Sequence, residues 1–176
     1  MANGAADASR TRTRTLAVLG VVFAIVVVDQ LTKSWAVSAL ADGPISIIGD
    51  FVELRLTRNP GGAFGRFQGM TVILAVGAIV VSAVLFRTVR KTTDPVLAVG
   101  LVLVLGGALG NLSDRIFRSP GVLRGHVVDF VSVGSFPVFN VADSCITVGA
   151  LLLIFRTLRT QEPEPAGPGP TQTGSS

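Results

Sequence analysis

The sequence predicts a mainly α-helical membrane protein: four transmembrane helices with a small extracytoplasmic β-sheet and loop region. Three observations carry that expectation. Apolar residues make up 49% of the chain, a share that soluble domains also reach. Here, however, they gather into long blocks with the charges mainly between them, and that clustering is the mark of a membrane protein. The blocks approach the roughly 17–20 residues that a helix needs to cross a bilayer. The stretches between them on one side alternate apolar and polar residues, the period of a half-buried strand.

Residues 1–14 are polar, carry Arg10, Arg12 and Arg14, and read as a cytoplasmic tail. Residues 15–159 then form one integral membrane domain. Its first helix covers about 15–38. Leu16 to Val28 is an unbroken apolar run, but alone it would cover only about 20 Å of a roughly 30 Å hydrocarbon core. Extension through Asp29-Gln30-Leu31-Thr32-Lys33-Ser34-Trp35 gives a comfortable span, with Asp29 and Lys33 one turn apart on the same face. A cleavable signal peptide is the competing reading, since a basic start, an apolar core and Ala39-Leu40-Ala41 imitate one. The distance from Val28 to Ala41 is long for a cleavage region, and it carries two charges.

In Phe51 to Arg58, Val52, Leu54 and Leu56 alternate with polar residues, as in a strand with one apolar face. Asn59-Pro60-Gly61-Gly62 closes it with turn chemistry. This turn is expected to clamp a ligand, because its glycines allow close backbone approach; the competing reading is that the glycines only make the turn. The second helix covers about 69–88 and ends in the basic turn Arg87-Thr88-Val89-Arg90-Lys91. The third covers about 95–113, with Gly106-Gly107-Ala108-Leu109-Gly110 suited to close helix packing. His126 to Val133 reads as a second strand, and the sheet is expected to rest on the outer membrane surface. The fourth helix covers about 138–158. Residues 160–176, rich in Pro, Gly, Thr and Ser, read as a disordered cytoplasmic tail. Four spans place both termini on one side. Eight basic residues fall on that side and seven on the other, and the dense Arg87–Lys91 flank favours a cytoplasmic location.

Composition also narrows the chemistry. The single cysteine, Cys145, cannot form an internal disulfide. One His and one Cys make a protein-built zinc site improbable, and no metal or cofactor is expected. The net charge of +4 is scattered. It forms no basic stripe for nucleic acid and suits contact with anionic lipid headgroups.

Ionisable residues at membrane depth are costly and need a reason. Asp29, Lys33, Asp114, Arg115, Asp129 and Asp143 all fall at the same end of their helices or in the intervening loop, so four chain segments bring polar groups to one interface. Asp114 and Asp50 read as caps at a wet boundary, and Asp29 with Lys33 reads equally well as an i,i+4 ion pair. Asp143 is harder to dismiss, since an apolar run follows it and Asn140 precedes it on the same face. Asp129 stands in an otherwise apolar strand. Two carboxylates sharing a site can hydrolyse an amide without a metal: repulsion keeps one protonated, the ionised one takes a proton from water, and the other polarises the carbonyl. Such a pair titrates as a unit, which leaves the roles unassigned. A Ser/His/Asp arrangement would rest on His126 alone, with no Gly-x-Ser-x-Gly elbow.

The motifs together resemble those of the lipoprotein signal peptidase family, also called signal peptidase II. They are Asp29-Gln30-Leu31-Thr32-Lys33; Asn59-Pro60-Gly61-Gly62-Ala63-Phe64; Gly106 to Arg115; Val127-Val128-Asp129-Phe130; and Phe139-Asn140-Val141-Ala142-Asp143-Ser144. Each is weak alone, but five in order are specific. The resemblance implies an aspartic endopeptidase of the bacterial plasma (inner) membrane, with its active site at the outer face. Its substrates would be diacylglyceryl-modified prolipoproteins, cut just before the lipidated cysteine. It would need no metal and would be blocked by globomycin-type cyclic peptides. Asp129 and Asp143 would be the dyad. Asn111, Arg115 and Asn140 would line the site; Asp29, Lys33, Asn59, Gly61, Gly107 and Ala142 would support or shape the pocket. Two rival classes are a small transporter or proton-coupled channel using Asp29, Asp129 and Asp143 as a relay, which would set its acids deep in the bilayer, and a non-catalytic membrane anchor subunit, which leaves two convergent carboxylates unexplained.

Overall fold

A computed structural model of the chain describes residues 2–61 and 70–160. Gly62, Ala63 and Phe64 of the second motif, and the tail from Gln161 for which the sequence predicts disorder, lie outside the described residues. The elements run α1 (Ala2–Ala39), β1 (Ile45–Ile48), β2 (Val52–Asn59), α2 (Thr71–Lys91), α3 (Pro95–Phe117), β3 (Val127–Val133) and α4 (Val141–Thr160). Among the described residues, four helical segments are long and apolar enough to cross a membrane: Arg12–Ala39, Thr71–Lys91, Pro95–Phe117 and Val141–Arg159. The molecule is a four-helix membrane protein carrying a small sheet.

The third helix is central and packs on each of the other three. Its glycines explain how. A β-carbon at Gly100 would meet Leu153 and the Gly149 carbonyl of α4, and one at Gly107 would meet the Ala142 carbonyl and Ile146. One at Gly106 would lie 2.8 Å from Ile25 of α1. Small residues thus line the faces on which α3 meets α1 and α4, as expected where packing rather than apolar burial joins helices. Val18, Val22, Val89, Leu101, Val102 and Leu105 form the core of this bundle. Large apolar side chains such as Phe23, Ile73, Val80 and Leu151 face outward, where lipid takes the place of a protein interior.

The start of α3 is fixed by polar groups. Asp94 caps α3, accepting from the backbone N–H groups of Val96 and Leu97 at 2.9 and 3.0 Å, with Pro95 at the first helical position. Its carboxylate also lies 2.6 Å from Arg156 Nε, tying the start of α3 to the last turns of α4. The Leu97 N–H, with help from Arg156, holds the Asp94 carboxyl below the usual carboxylate range.

The sheet is antiparallel in the order β1-β2-β3. It is carried by the end of α1: Ala36 and Leu40 pack with Phe130, and Leu54 and Leu56 close over them. Trp35 meets the Phe130 ring edge-on at 6.4 Å. Several boundaries differ from the sequence reading. Helix α1 begins at Ala2, so most of the expected 1–14 tail is helical. Strand β1 is an addition to the predicted elements, because the four residues Ile45-Ser46-Ile47-Ile48 are too few to set a period. Asp50 caps no helix and lies in the β1–β2 turn. Helix α3 runs past residue 113 to Phe117, because Asp114 finds buried partners and does not mark an end. Helix α4 starts at Val141 and not at 138, since Phe139 pairs with Val131 as an isolated bridge.

Gly149 tests the α3–α4 packing. A β-carbon there would stand 2.7 Å from the Gly100 carbonyl oxygen, whereas at Gly77 nothing lies within 4 Å. Gly149→Val is expected to lower stability by about 1–3 kcal/mol or more, the usual result of overpacking. Gly77→Ala should leave it unchanged or raise it slightly. Thermal unfolding in detergent measures both, and equal midpoints for the two variants would refute this packing.

Candidate active site

Four chain segments meet at the end of the bundle that carries the sheet. The fourth helix supplies Asp143 through a local rule. Asn140 stands just before Val141; its Oδ1 accepts the Asp143 N–H at 2.9 Å, and Asp143 Oδ2 accepts the Asn140 backbone N–H at 3.2 Å. This reciprocal pair has the geometry of a capping box, with Asn and Asp in place of the commoner residues. The cap fixes the side chain of Asp143 as well as the helix start.

Strand β3 supplies Asp129, opposite Thr57 of β2. The same Asn140 donates its Nδ2 to Asp129 Oδ1 at 2.6 Å, and it also reaches Val128 O at 3.3 Å and Asn111 Oδ1 at 3.2 Å. One fully buried asparagine therefore touches both carboxylates. Asn59 Nδ2, at the end of β2, donates to Asp129 Oδ2 at 3.2 Å, while Asn59 Oδ1 accepts the Gly61 N–H at 3.0 Å. Asn111 Nδ2, from α3, donates to Asp143 Oδ1 at 2.8 Å. Arg115, one turn further along α3, interacts electrostatically with Asp114, Asp129 and Asp143, and its guanidinium reaches Pro60 O at 3.4 Å. The Thr71 hydroxyl also donates to Pro60 O, so two side chains hold the turn after β2.

Burial, reinforced by the neighbouring Asp143, pushes the Asp129 carboxyl up to about 6. The amides of Asn59 and Asn140 oppose this by donating to the ionised form. A cavity of about 830 Å³ opens beside the pair. Asn59, Pro60, Asn111, Arg115, Asp129 and Asp143 form its polar end; Phe136, Pro137, Val138, Phe139 and Val148 form much of its apolar wall. That volume lies within the usual range of ligand-binding pockets.

Behind the cavity lies a buried ionic cluster. Lys33 Nζ is 2.8 Å from Asp29 Oδ2, 2.8 Å from Asp114 Oδ2 and 2.9 Å from Asn111 Oδ1. None of Asp29, Lys33 and Asp114 is exposed. Arg118 Nε lies 2.6 Å from Asp114 Oδ1, and Gln30 Nε2 bonds Asp29, Asp114 and the Gly110 carbonyl. The reading of Asp114 as a wet cap is thereby corrected: it is a buried partner of Lys33. Two signals are present in the sequence. Asp114 joins Gln30 and Lys33 as a third polar group at the same depth, and Arg118 stands four residues after it. Gly107 and Ala142 are where α3 and α4 touch. Gly61, within the turn after β2, is buried. His126 precedes β3 and donates its backbone N–H to Ser119 O, while Ser144 and Ser113 donate their hydroxyls to backbone carbonyls. Among the described residues, no three His, Cys, Asp or Glu side chains gather as a metal-holding group.

Four apolar helices with two hydrogen-bonded carboxylates beside a cavity at one end define a multi-pass membrane protein with the equipment for acid–base chemistry. Residues 21–159 match the family model for signal peptidase (SPase) II. Relatives named lipoprotein signal peptidase include one from Rhodococcus jostii, 52% identical over 155 residues, covering 88% of this chain and 78% of its own. Another is from Streptomyces griseus, 43% identical over 164 residues, covering 93% and 84%. Two solved structures, each titled a bacterial membrane enzyme, superpose with TM-scores of 0.74 and 0.67 at 28% and 29% identity. They cover 85% and 81% of this chain and 92% and 93% of theirs. The chain belongs to the signal peptidase II family and is a membrane peptidase.

The raised Asp129 carboxyl has a consequence for stability. A carboxyl that holds its proton more tightly folded than unfolded stabilises fully below its unfolded value, near 4, and that contribution is lost as pH rises through about 6. Asp129→Asn is therefore expected to flatten the fall in unfolding midpoint between about pH 4 and 7. Thermal unfolding of the two proteins across that range measures it. Parallel pH curves would refute a raised Asp129.

Proposed function

We propose that this chain is an aspartic endopeptidase that removes the signal peptide from diacylglyceryl-modified bacterial prolipoproteins, cutting before the lipidated cysteine with water activated by Asp129 and Asp143. The observation that carries the reading is the single buried Asn140 bonded to both carboxylates at the wall of an apolar cavity. In this reading the two neighbouring carboxylates share a proton. The ionised one accepts a proton from water, and the protonated one hydrogen-bonds the scissile carbonyl oxygen as water attacks its carbon. Collapse of the tetrahedral intermediate breaks the C–N bond, and a proton from the pair goes to the leaving amine. The cationic Arg115 faces the site, where it favours negative charge developing on that oxygen. Asn59, Pro60 and Gly61 would border the bound peptide, and globomycin-type cyclic peptides would compete for the same cavity.

The membrane setting fits the substrate. A diacylated cysteine sits where acyl chains meet headgroups, and the pair lies at the corresponding end of the helices. In this reading the protein spans the bacterial plasma membrane with its termini cytoplasmic and its site at the outer face. The support is the cationic opposite end, with Arg87, Arg90 and Lys91 on α2 and Arg156 and Arg159 on α4. Prolipoproteins and membrane lipids are its partners.

Asp129→Asn and Asp143→Asn keep shape and remove the shared proton. Each is expected to fold and to lose cleavage of a diacylated prolipoprotein peptide by about 10²-fold or more. A variant that kept over about a tenth of the wild-type rate would remove that residue from the chemistry. Orientation is read by reporter fusions. Those after Lys91 should report cytoplasm and those near Pro120 the outside; a shared side for the two would sink the four-span topology.

A further inference from the structure

The ionic cluster behind the cavity does more than neutralise itself. Each of its carboxylates holds the main chain one residue before a member of the Asp129–Asp143 pair. Asp29 Oδ1 accepts the backbone N–H of Ala142 at 3.0 Å, and the next residue is Asp143. Asp114 Oδ2 accepts the backbone N–H of Val128 at 3.1 Å, and the next residue is Asp129. Lys33 stands between the two acids, 2.8 Å from each. Its third donor goes to Asn111 Oδ1. A lysine ammonium only donates. It therefore fixes the Asn111 oxygen towards itself and leaves the Asn111 Nδ2 to face Asp143.

We propose that Asp29 and Asp114, tied together through Lys33, are positioning residues that set the spacing of Asp143 and Asp129 by gripping the main chain at Ala142 and Val128. The proposal rests on the functional reading above. Stability alone gives little reason for such a cluster, because a buried ion pair or triad can often be replaced by apolar groups with no loss. Apolar packing is already available where α1 meets α3, as at Ile25 against Gly106. Ala142 is in the first turn of α4, where backbone N–H groups lack helical acceptors. Asp29 supplies one from another helix, so the position of α4 along its axis is referred to α1 and, through Lys33 and Asp114, to β3.

The test uses the full chain in detergent, a diacylated prolipoprotein peptide, and paired substitutions at each acid. Asp29→Leu and Asp114→Leu remove the acceptor; Asp29→Asn and Asp114→Asn keep an acceptor oxygen and remove the charge. Misplacement of the pair by about 1 Å should lower kcat on the order of 10²-fold in the Leu variants. KM should stay within about two-fold, since peptide contacts are intact. The Asn variants should recover most of the lost kcat. A folded Leu variant with wild-type kcat overturns the proposal. So does a folded Asn variant as slow as its Leu counterpart. Where a Leu variant does not fold, the Asn variant decides alone: kcat within about ten-fold of wild type upholds the grip, and a larger loss in folded protein overturns it. If the wild type does not cleave the peptide, the functional reading falls and this proposal with it. If the wild type cleaves and the folded Leu variants match its kcat, only the positioning role falls.

Discussion

A lysine ammonium wholly removed from solvent, near the end of a membrane-spanning helix, must have all three of its donors met within the protein. Lys33 meets this condition with acceptors from its own helix and from α3. The effective penalty for burying an ion is several kcal/mol, and it is offset only by good geometry and further hydrogen bonds. Here the geometry is complete. Lys33 and Arg118 balance Asp29 and Asp114, and the same carboxylates accept from Gln30, Ala142 and Val128. Three elements at the sheet-bearing end of the bundle are tied to this group or to its two acids. α1 and α3 are locked at one depth, α4 is set on Asp29, and β3 is set on Asp114.

The packing of the rest of the bundle serves the same constraint. A bond from Asp29 to the main chain of α4 requires α1, α3 and α4 to approach closely at one level. Gly110 permits it, since a β-carbon there would stand 2.7 Å from Asp29 Oδ2 and 3.2 Å from the Ala142 β-carbon. Gly107 does the same for the Ala142 carbonyl. The glycine-rich stretch of α3 and the acid of α1 are therefore two halves of one arrangement. On the positioning role proposed above, substitution at either would move Asp143.

The helices are legible in the sequence because hydrocarbon thickness sets their length, and an apolar block long enough to span it is rare in a water-soluble chain. Their ends are less so. Asp114 misleads because, in sequence, an acid near the end of an apolar run looks the same whether it faces water or a lysine from another helix. Only the third dimension brings Lys33 to it. Strand β1 is invisible because four residues are too few to establish a period. Asp129 and Asp143 can be singled out from their apolar surroundings, and Asn140 from its spacing to Asp143. That Asn140 touches both acids cannot, because it depends on how β3 sits over the start of α4.

The partners of the two acids fit the shared proton proposed above. A carboxylate paired directly with Lys or Arg is held ionised, its pKa lowered by about one to three. Two acids so paired would not keep a proton between them. At this site the direct donors to the acids are neutral: the amides of Asn59 and Asn140 for Asp129, and the amide of Asn111 and a backbone N–H for Asp143. Neutral amides orient the oxygens without fixing the charge. The lysine is kept one residue away, acting on Asp143 through Asn111. Its charge steadies the scaffold while its hydrogen bonds stop short of the acids. Burial can then outweigh the amides and leave Asp129 near 6, where a carboxyl can both hold and release a proton.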